Sequence, residues 1–159
     1  MLVIPGHLAK AYLKNLIDEN LQIQPAGVDL TVKKIFKIAG EGLIGLSERR
    51  LPQYEELHPI NGVWHLSEGA YKVVINEVIM VPNDTIAMCF PRSSLLRMGV
   101  DVRCALWDPG YYGRSEILLI VHSKSVVIKR NARIAQLIFI KLSEKPAKAY
   151  EGKYKGENL

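Results

Sequence analysis

The stretch Asp101-Val102-Arg103-Cys104-Ala105-Leu106-Trp107-Asp108-Pro109-Gly110-Tyr111-Tyr112-Gly113 puts a carboxylate, Asp108, at the corner where a strand-like run enters a turn. Asp-Pro-Gly makes turns, so part of this signal is structural. A turn does not require Tyr111 or Gly113, however. An aromatic ring beside a glycine that lets backbone come close is a floor for a flat base or a sugar. A carboxylate at the edge of such a floor can orient a water for attack.

Three other segments carry chemistry of a different kind. Pro91-Arg92-Ser93-Ser94-Leu95 sets a guanidinium and two hydroxyls where helix formers begin, a forked donor and two single donors for phosphate oxygens. Read alone, a capped surface turn with no ligand explains it, and it becomes informative only with company. In Ala26-Gly27-Val28-Asp29-Leu30 a carboxylate interrupts an alternating apolar run, as a solvent-face residue, a turn acceptor or a ligand. Arg130-Asn131-Ala132-Arg133-Ile134-Ala135-Gln136-Leu137-Ile138-Phe139 leads a polar turn into an apolar strand with one amide, Gln136, either a satisfied core group or a ligand contact.

The elements that must position these residues follow from hydrophobic period. Leu8, Tyr12, Leu13, Leu16 and Ile17 recur at helical spacing and predict one short amphipathic helix over 8–17. Beyond it the period is two, and strands are expected at 28–38, 63–66, 70–81, 84–90, 101–107, 116–122, 125–129 and 133–142. Turns are expected at Asn61-Gly62, Pro82-Asn83-Asp84, Asp108-Pro109-Gly110 and Arg130-Asn131. Ser93 to Met98 offers a capping serine ahead of a single helical turn whose N-terminus is a candidate anion site. The body is therefore expected to be all-β, a sandwich, jelly roll or distorted barrel with edges to be covered.

Composition narrows the function. At 159 residues, 48% hydrophobic, the chain suits one domain with its own core, and it contains no internal repeat or low-complexity block. Its apolar runs fall far short of the roughly 20 residues that span a bilayer, and Met1-Leu2-Val3-Ile4-Pro5 lacks the pattern of a signal peptide, so a cytoplasmic protein is expected. Cys89 and Cys104 are read as reduced, buried thiols, since no Cys-x-x-Cys pair or His at ligand spacing accompanies them. That excludes the zinc-dependent deaminases, whose metal site needs such a set. A net charge of +5 suits a polyanionic partner, either a nucleoside triphosphate or a nucleic acid.

In order and spacing, the four segments resemble the signature motifs of the dUTPase and dCTP deaminase superfamily, over roughly residues 20 to 142. Ala26 to Leu30 is similar to the first motif, Pro91 to Leu95 to the second, Trp107 to Gly113 to the third and Arg133 to Ile138 to the fourth. The resemblance implies an all-β, distorted jelly-roll fold of the β-clip, dUTPase-like kind with a short N-terminal helix. It implies a domain over 1–145, a tail over 146–159, and a homotrimer with active sites at subunit interfaces.

Within that superfamily the deaminases place a catalytic Glu ten residues after the third-motif Asp, and here that position is Leu118. Glu116 lies two residues earlier on the same strand face, so only a bulge or a shifted register would bring it into place. The stretch from Val100-Asp101-Val102 to Asp108 also resembles the uracil-reading hairpin of dUTPases. The resemblance thus implies dUTP hydrolysis to dUMP and pyrophosphate, with a deaminase or a bifunctional deaminase and dUTPase as the alternative.

In that reading Asp108 activates the water, Tyr111 packs under deoxyribose, and Asp101 belongs to the base hairpin. Arg92, Ser93, Ser94 and Gln136 bind phosphate, and Arg97 matches a nucleotide-site arginine of the deaminases. Mg²⁺ bridges the triphosphate, with Asp29 holding one of its waters. The C-terminus departs from the Gly-rich dUTPase ending and is closer to deaminase tails. Its Tyr150, Lys153 and Tyr154 would close the site by stacking and charge, or the segment is a disordered basic tail. The rival from another class, a basic β-domain binding nucleic acid, requires Lys and Arg interleaved with aromatics on one strand face, and residues 63–90 show no such stripe.

Overall fold

The computed structural model describes residues 2–159. Met1, the first residue of the segment read for a leader, lies outside them.

Five long strands build the body: Gly27–Ala39, Val63–Ile75, Thr85–Pro91, Glu116–Lys129 and Arg133–Lys141. Every named pairing is antiparallel. The first half of Gly27–Ala39 pairs with Arg133–Lys141, and its second half with Val63–Ile75 and Gln53–Leu57. Register shifts between Val32 and Lys34, and between Arg133 and Ala135, mark where this strand passes from one sheet to the other. Strands that change sheets at such irregularities make the corners of a curled sandwich. Leu30, Leu137 and Phe139 from one part and Val73, Ile75, Leu119 and Val121 from the other join a single buried cluster. The all-β, jelly-roll-like expectation holds.

Alternation explains which residues enter that core. Along Glu116–Val121, Ile117, Leu119 and Val121 are buried while Glu116, Leu118 and Ile120 are half-buried on the other face. Asn61-Gly62 closes a two-residue hairpin turn in which both residues have positive φ, 50° and 76°, as that turn type demands. Ile60 and Val63 exchange both backbone hydrogen bonds across it, at 2.9 and 3.0 Å.

Four expectations need correction. The helix predicted over 8–17 is a four-residue turn, Gly6–Ala9, and a 3-10 segment, Lys10–Tyr12, followed by a short strand, Leu13–Lys14. Asn15 has a left-handed φ of 64°, which no α-helix accommodates, and Ile17 remains exposed. Asp18 caps Glu19–Gln22 by accepting from the backbone N–H groups of Asn20 and Leu21. The predicted pairs 63–66 with 70–81 and 116–122 with 125–129 become long strands through 75 and 129, with a separate short strand at Val78–Met80. The strand predicted at 101–107 pairs only over Val100–Arg103, and Gln53–Leu57 and the hairpin of Leu43–Ile44 with Arg49–Arg50 were not anticipated. The helical turn at Ser93–Arg97 is present, but Arg92 occupies its N-cap with no side-chain capping bond.

Cys89 and Cys104 are free thiols, and Cys104 is half-buried rather than buried. The Cys104 sulfur accepts from the Cys89 backbone N–H at 3.2 Å. Hydrogen bonding between the two thiols draws Cys104 below the usual thiol range and pushes Cys89 up. Among the described residues no helix is long and apolar enough to cross a membrane.

Glu77 sits fully buried beside the core, and every partner it has is a donor. It accepts from the Gln22 amide at 2.7 Å, the Thr31 hydroxyl at 2.5 Å and the Thr31 backbone N–H at 3.0 Å. Burial raises its carboxyl above the ordinary value of 4.5, against the pull of those donors. A raised carboxyl stabilises the fold fully below that ordinary value and loses its contribution as pH climbs through the folded one. Glu77→Ala strands the Thr31 N–H and the Thr31 hydroxyl in the interior, at roughly 1–3 kcal/mol each, while the Gln22 amide keeps the Asp29 carbonyl at 2.8 Å. Urea denaturation should therefore show a loss of about 4 kcal/mol in acid that narrows as pH rises. An unchanged midpoint would show that the network contributes nothing.

Candidate active site

Strands Val100–Arg103 and Glu116–Lys129 pair directly, so the residues between them form the loop at the end of a hairpin. That loop is tied down at several points. Trp107 and Ala87 exchange two backbone bonds of 3.0 Å, and the Trp107 indole N–H donates to Ser115 Oγ at 2.8 Å. The Gly110 N–H reaches Val81 O at 3.0 Å, and the Val81 N–H reaches Tyr111 O at 2.8 Å. Asp108 to Tyr111 closes as a β-turn, the Tyr111 N–H donating to Asp108 O at 3.1 Å, with Gly110 supplying the positive φ of 85° that follows proline in such turns.

The turn presents the Asp108 side chain at the surface with no side-chain hydrogen bond or ion pair among the described residues. Beside it opens a cleft of about 260 Å³. Trp107, Tyr111, Ser115 and Glu116 contribute to its wall, as do Tyr54 from the strand Gln53–Leu57, Leu51 just before that strand, and Tyr150, Tyr154 and Glu157 from the tail. Tyr111 is 5% exposed, and its ring packs against Tyr150 with centroids 5.9 Å apart. Burial and the carboxylate of Glu157 push the Tyr111 hydroxyl far above its ordinary range, so it remains a hydrogen-bond donor. Of the tail residues singled out from sequence, Tyr150 and Tyr154 line this cleft, while Lys153 is exposed and takes no part in its wall.

The segments read as phosphate donors lie elsewhere on the chain. Asp29 faces Gln136 across paired strands, and Gln136 faces Phe90. The Asp29 carboxylate, its side chain 2% exposed, meets Arg92 Nε at 3.0 Å and Arg133 Nη1 at 3.2 Å. Burial raises the Asp29 carboxyl, and the two guanidiniums oppose that rise. One carboxylate against two guanidiniums leaves a net positive patch, and Ser93, Ser94 and Arg97 stand exposed beside it on the helical turn. Arg92 and Ser94 line a groove with Met98, Val127 and Arg133, and no residue of that groove belongs to the Asp108 cleft. Asp101 is held locally, by the Val102 N–H at 2.8 Å and Arg103 Nε at 2.7 Å.

Arg133 and Glu157 were not singled out from sequence. The position of Arg133 inside the fourth segment was a signal that could have found it; nothing local marked Glu157. For magnesium, Asp29 does not fit as a direct ligand, because the two guanidiniums hold its buried oxygen. Among the described residues no group of three or more His, Cys, Asp or Glu gathers around one point. A magnesium ion carried by a phosphate chain would reach Asp29 only through water.

Two features separate this site from its rivals. The Glu116 carboxylate lines the cleft but is bound to Lys72 Nζ at 2.9 Å, and the strand register runs unbroken from Glu116 to Val121. No bulge therefore moves Glu116 toward the place of Leu118. Trp64 and Tyr71 are 3% and 7% exposed, so neither is a platform for stacked bases.

The sequence model for dCTP deaminase-like proteins matches residues 7–142. The probable deoxyuridine 5'-triphosphate nucleotidohydrolase of Archaeoglobus fulgidus is 43% identical over 92% of this chain and 88% of its own. The deoxyuridine 5'-triphosphate nucleotidohydrolase of Methanocaldococcus jannaschii is 42% identical over 98% of this chain and 99% of its own. Among solved structures, the 2'-deoxycytidine 5'-triphosphate deaminase of Agrobacterium tumefaciens superposes with a TM-score of 0.69 at 23% identity, over 86% of this chain and 46% of that one. A Staphylococcus bacteriophage 80alpha dUTPase with dUpNHpp gives 0.54 at 13% identity, over 88% of this chain and 95% of that one. At such identities the structures speak for the fold, while the sequence matches speak for descent. The chain belongs to the dCTP deaminase-like family.

Proposed function

We propose that the chain is a dUTP diphosphatase, hydrolysing dUTP to dUMP and pyrophosphate. The observation that carries this is the 42% identity to a deoxyuridine 5'-triphosphate nucleotidohydrolase across 98% of the chain. The open cleft bearing Asp108 agrees with it. Asp108 accepts a hydrogen bond from a water and aligns it for in-line attack on the α-phosphorus. Tyr111 forms the floor under deoxyribose, and the hairpin carrying Asp101 reads the base. Arg92, Ser93, Ser94 and Gln136 hold phosphate oxygens, with Arg97 beside them. Most of the rate enhancement comes from positioning and charge neutralisation. Mg²⁺, when bound with the triphosphate, would supply neutralisation of phosphate charge, and Asp29 is the carboxylate that would hold one of its waters.

In one chain the Asp108 cleft and the Arg92 groove are separate surfaces. A closed homotrimer that brings the groove of one subunit to the cleft of the next completes the site. Exposed Phe90, Leu96, Met98 and Val127, around that groove, give such an interface its apolar surface. Tyr150, Lys153 and Tyr154 of the tail close the nucleotide in. The enzyme acts in the cytoplasm on free nucleotide and not on nucleic acid.

The test is incubation of the purified chain with dUTP or dCTP and Mg²⁺, followed by chromatography of the products. Conversion of dUTP to dUMP with dCTP recovered intact supports the reading. Uracil nucleotides formed from dCTP would establish a deaminase or bifunctional enzyme instead, and would show that Leu118 does not exclude that chemistry.

A further inference from the structure

The phenol of Tyr111 is buried, and a buried O–H needs a partner. Its partner comes from 46 positions along the chain: the hydroxyl donates to Glu157 Oε1 at 2.7 Å. This contact is built rather than incidental. The Tyr150 N–H donates to Pro109 O at 2.7 Å, the Gly156 N–H to Tyr112 O at 2.6 Å, and the Arg114 N–H to Glu157 O at 2.9 Å. Asn158 and Arg114 add two more bonds, at 2.7 and 3.0 Å. Each of these joins the tail to the loop that carries Asp108 and Tyr111. A Cβ on Gly113 would stand 2.9 Å from the Tyr111 hydroxyl and 3.2 Å from the Glu157 backbone nitrogen, so the glycine leaves room for both.

Rejecting a 2'-hydroxyl by contact depends on a floor that does not yield, because a pocket that can relax discriminates poorly against one added hydroxyl. The Tyr111 ring is held from both ends. Tyr150 packs against it, and Glu157 fixes its hydroxyl. We infer that Glu157 is a specificity-determining positioning residue: through its hydrogen bond to Tyr111 it holds the sugar floor, so that preference for dUTP over UTP depends on the docked tail. This rests on the cleft being the deoxynucleotide pocket, as proposed above.

The test measures kcat/KM for dUTP and UTP with the unaltered protein, Glu157→Ala and Glu157→Gln, and repeats Glu157→Ala in a Tyr111→Phe background. The glutamine keeps an oxygen that accepts from the phenol. The alanine should cut the dUTP to UTP preference by about tenfold, the scale of one lost contact in a specificity pocket. The glutamine should restore most of it. In the Tyr111→Phe background the alanine should add nothing. An unchanged preference in Glu157→Ala, or glutamine failing as alanine does, overturns the inference while leaving dUTP hydrolysis standing. Failure of the unaltered protein to hydrolyse dUTP overturns the functional reading and this inference with it.

Discussion

Asp108→Asn should lower kcat for dUTP by roughly 10²- to 10⁴-fold, the range attributable to a positioned base, with little change in KM. The asparagine has nearly the same shape and can still meet a water, but it cannot take a proton from it. The structure predicts a clean result because Asp108 has no ion pair or side-chain hydrogen bond to lose among the described residues. Thermal unfolding of the variant should match the unaltered protein. The turn that carries the side chain is held by backbone bonds from Gly110, Tyr111 and Val81, none of which involves the carboxylate. A loss of activity accompanied by a lower melting temperature would mean that Asp108 is structural after all. Full activity would remove it from the mechanism.

Arg92→Ala should be costly twice over. The guanidinium faces Asp29 at 3.0 Å, and the Asp29 side chain is only 2% exposed. Removing one partner of a buried pair typically costs 3–5 kcal/mol, and Arg133 remains at 3.2 Å, so a loss of about 3 kcal/mol is expected at neutral pH. The pH dependence has a definite sign. Burial already raises the Asp29 carboxyl, and Arg92 is the larger of the two charges opposing that rise. Without it the folded carboxyl rises further, and a raised carboxyl loses its stabilising contribution as pH increases through the folded value. The deficit relative to the unaltered protein should therefore be small in strong acid and grow toward neutrality. Activity should fall as well, by roughly 10²-fold in kcat/KM, as for loss of one charged donor to a phosphoryl group. Arg92→Lys restores the charge but not the fork, so it should recover stability better than activity. Chemical denaturation across pH, with steady-state kinetics at one pH, checks both halves. A deficit that shrinks toward neutrality would contradict the ion-pair account.

What could be seen in the sequence was what is local. Asp108-Pro109-Gly110 and Asn61-Gly62 announce their turns through backbone preferences of adjacent residues, and both form as expected. The long strands announce themselves because their buried and half-buried residues alternate. The helix over 8–17 does not form although the apolar spacing is right, because the chain turns extended at Leu13–Lys14, which pair with Val78–Met80, and left-handed at Asn15. Gln53–Leu57 was missed because Glu55 and Glu56 blur its alternation, and pairing with Gly27–Ala39 rather than burial makes it a strand. The site divides along the same line. Asp108, Tyr111, Arg92 and Gln136 fall in recognisable strings. Glu157, Arg133 toward Asp29, and Lys72 toward Glu116 act across separations of 46, 104 and 44 residues, which no local pattern encodes.

The phosphorus that water attacks defines the reaction. Hydrolysis of dUTP by the unaltered protein in ¹⁸O-labelled water, with both products read by mass spectrometry, identifies that phosphorus directly. Attack on the α-phosphorus by a water aligned at Asp108 places the label in dUMP and leaves pyrophosphate unlabelled. Label in pyrophosphate, or dUTP recovered intact, would contradict it.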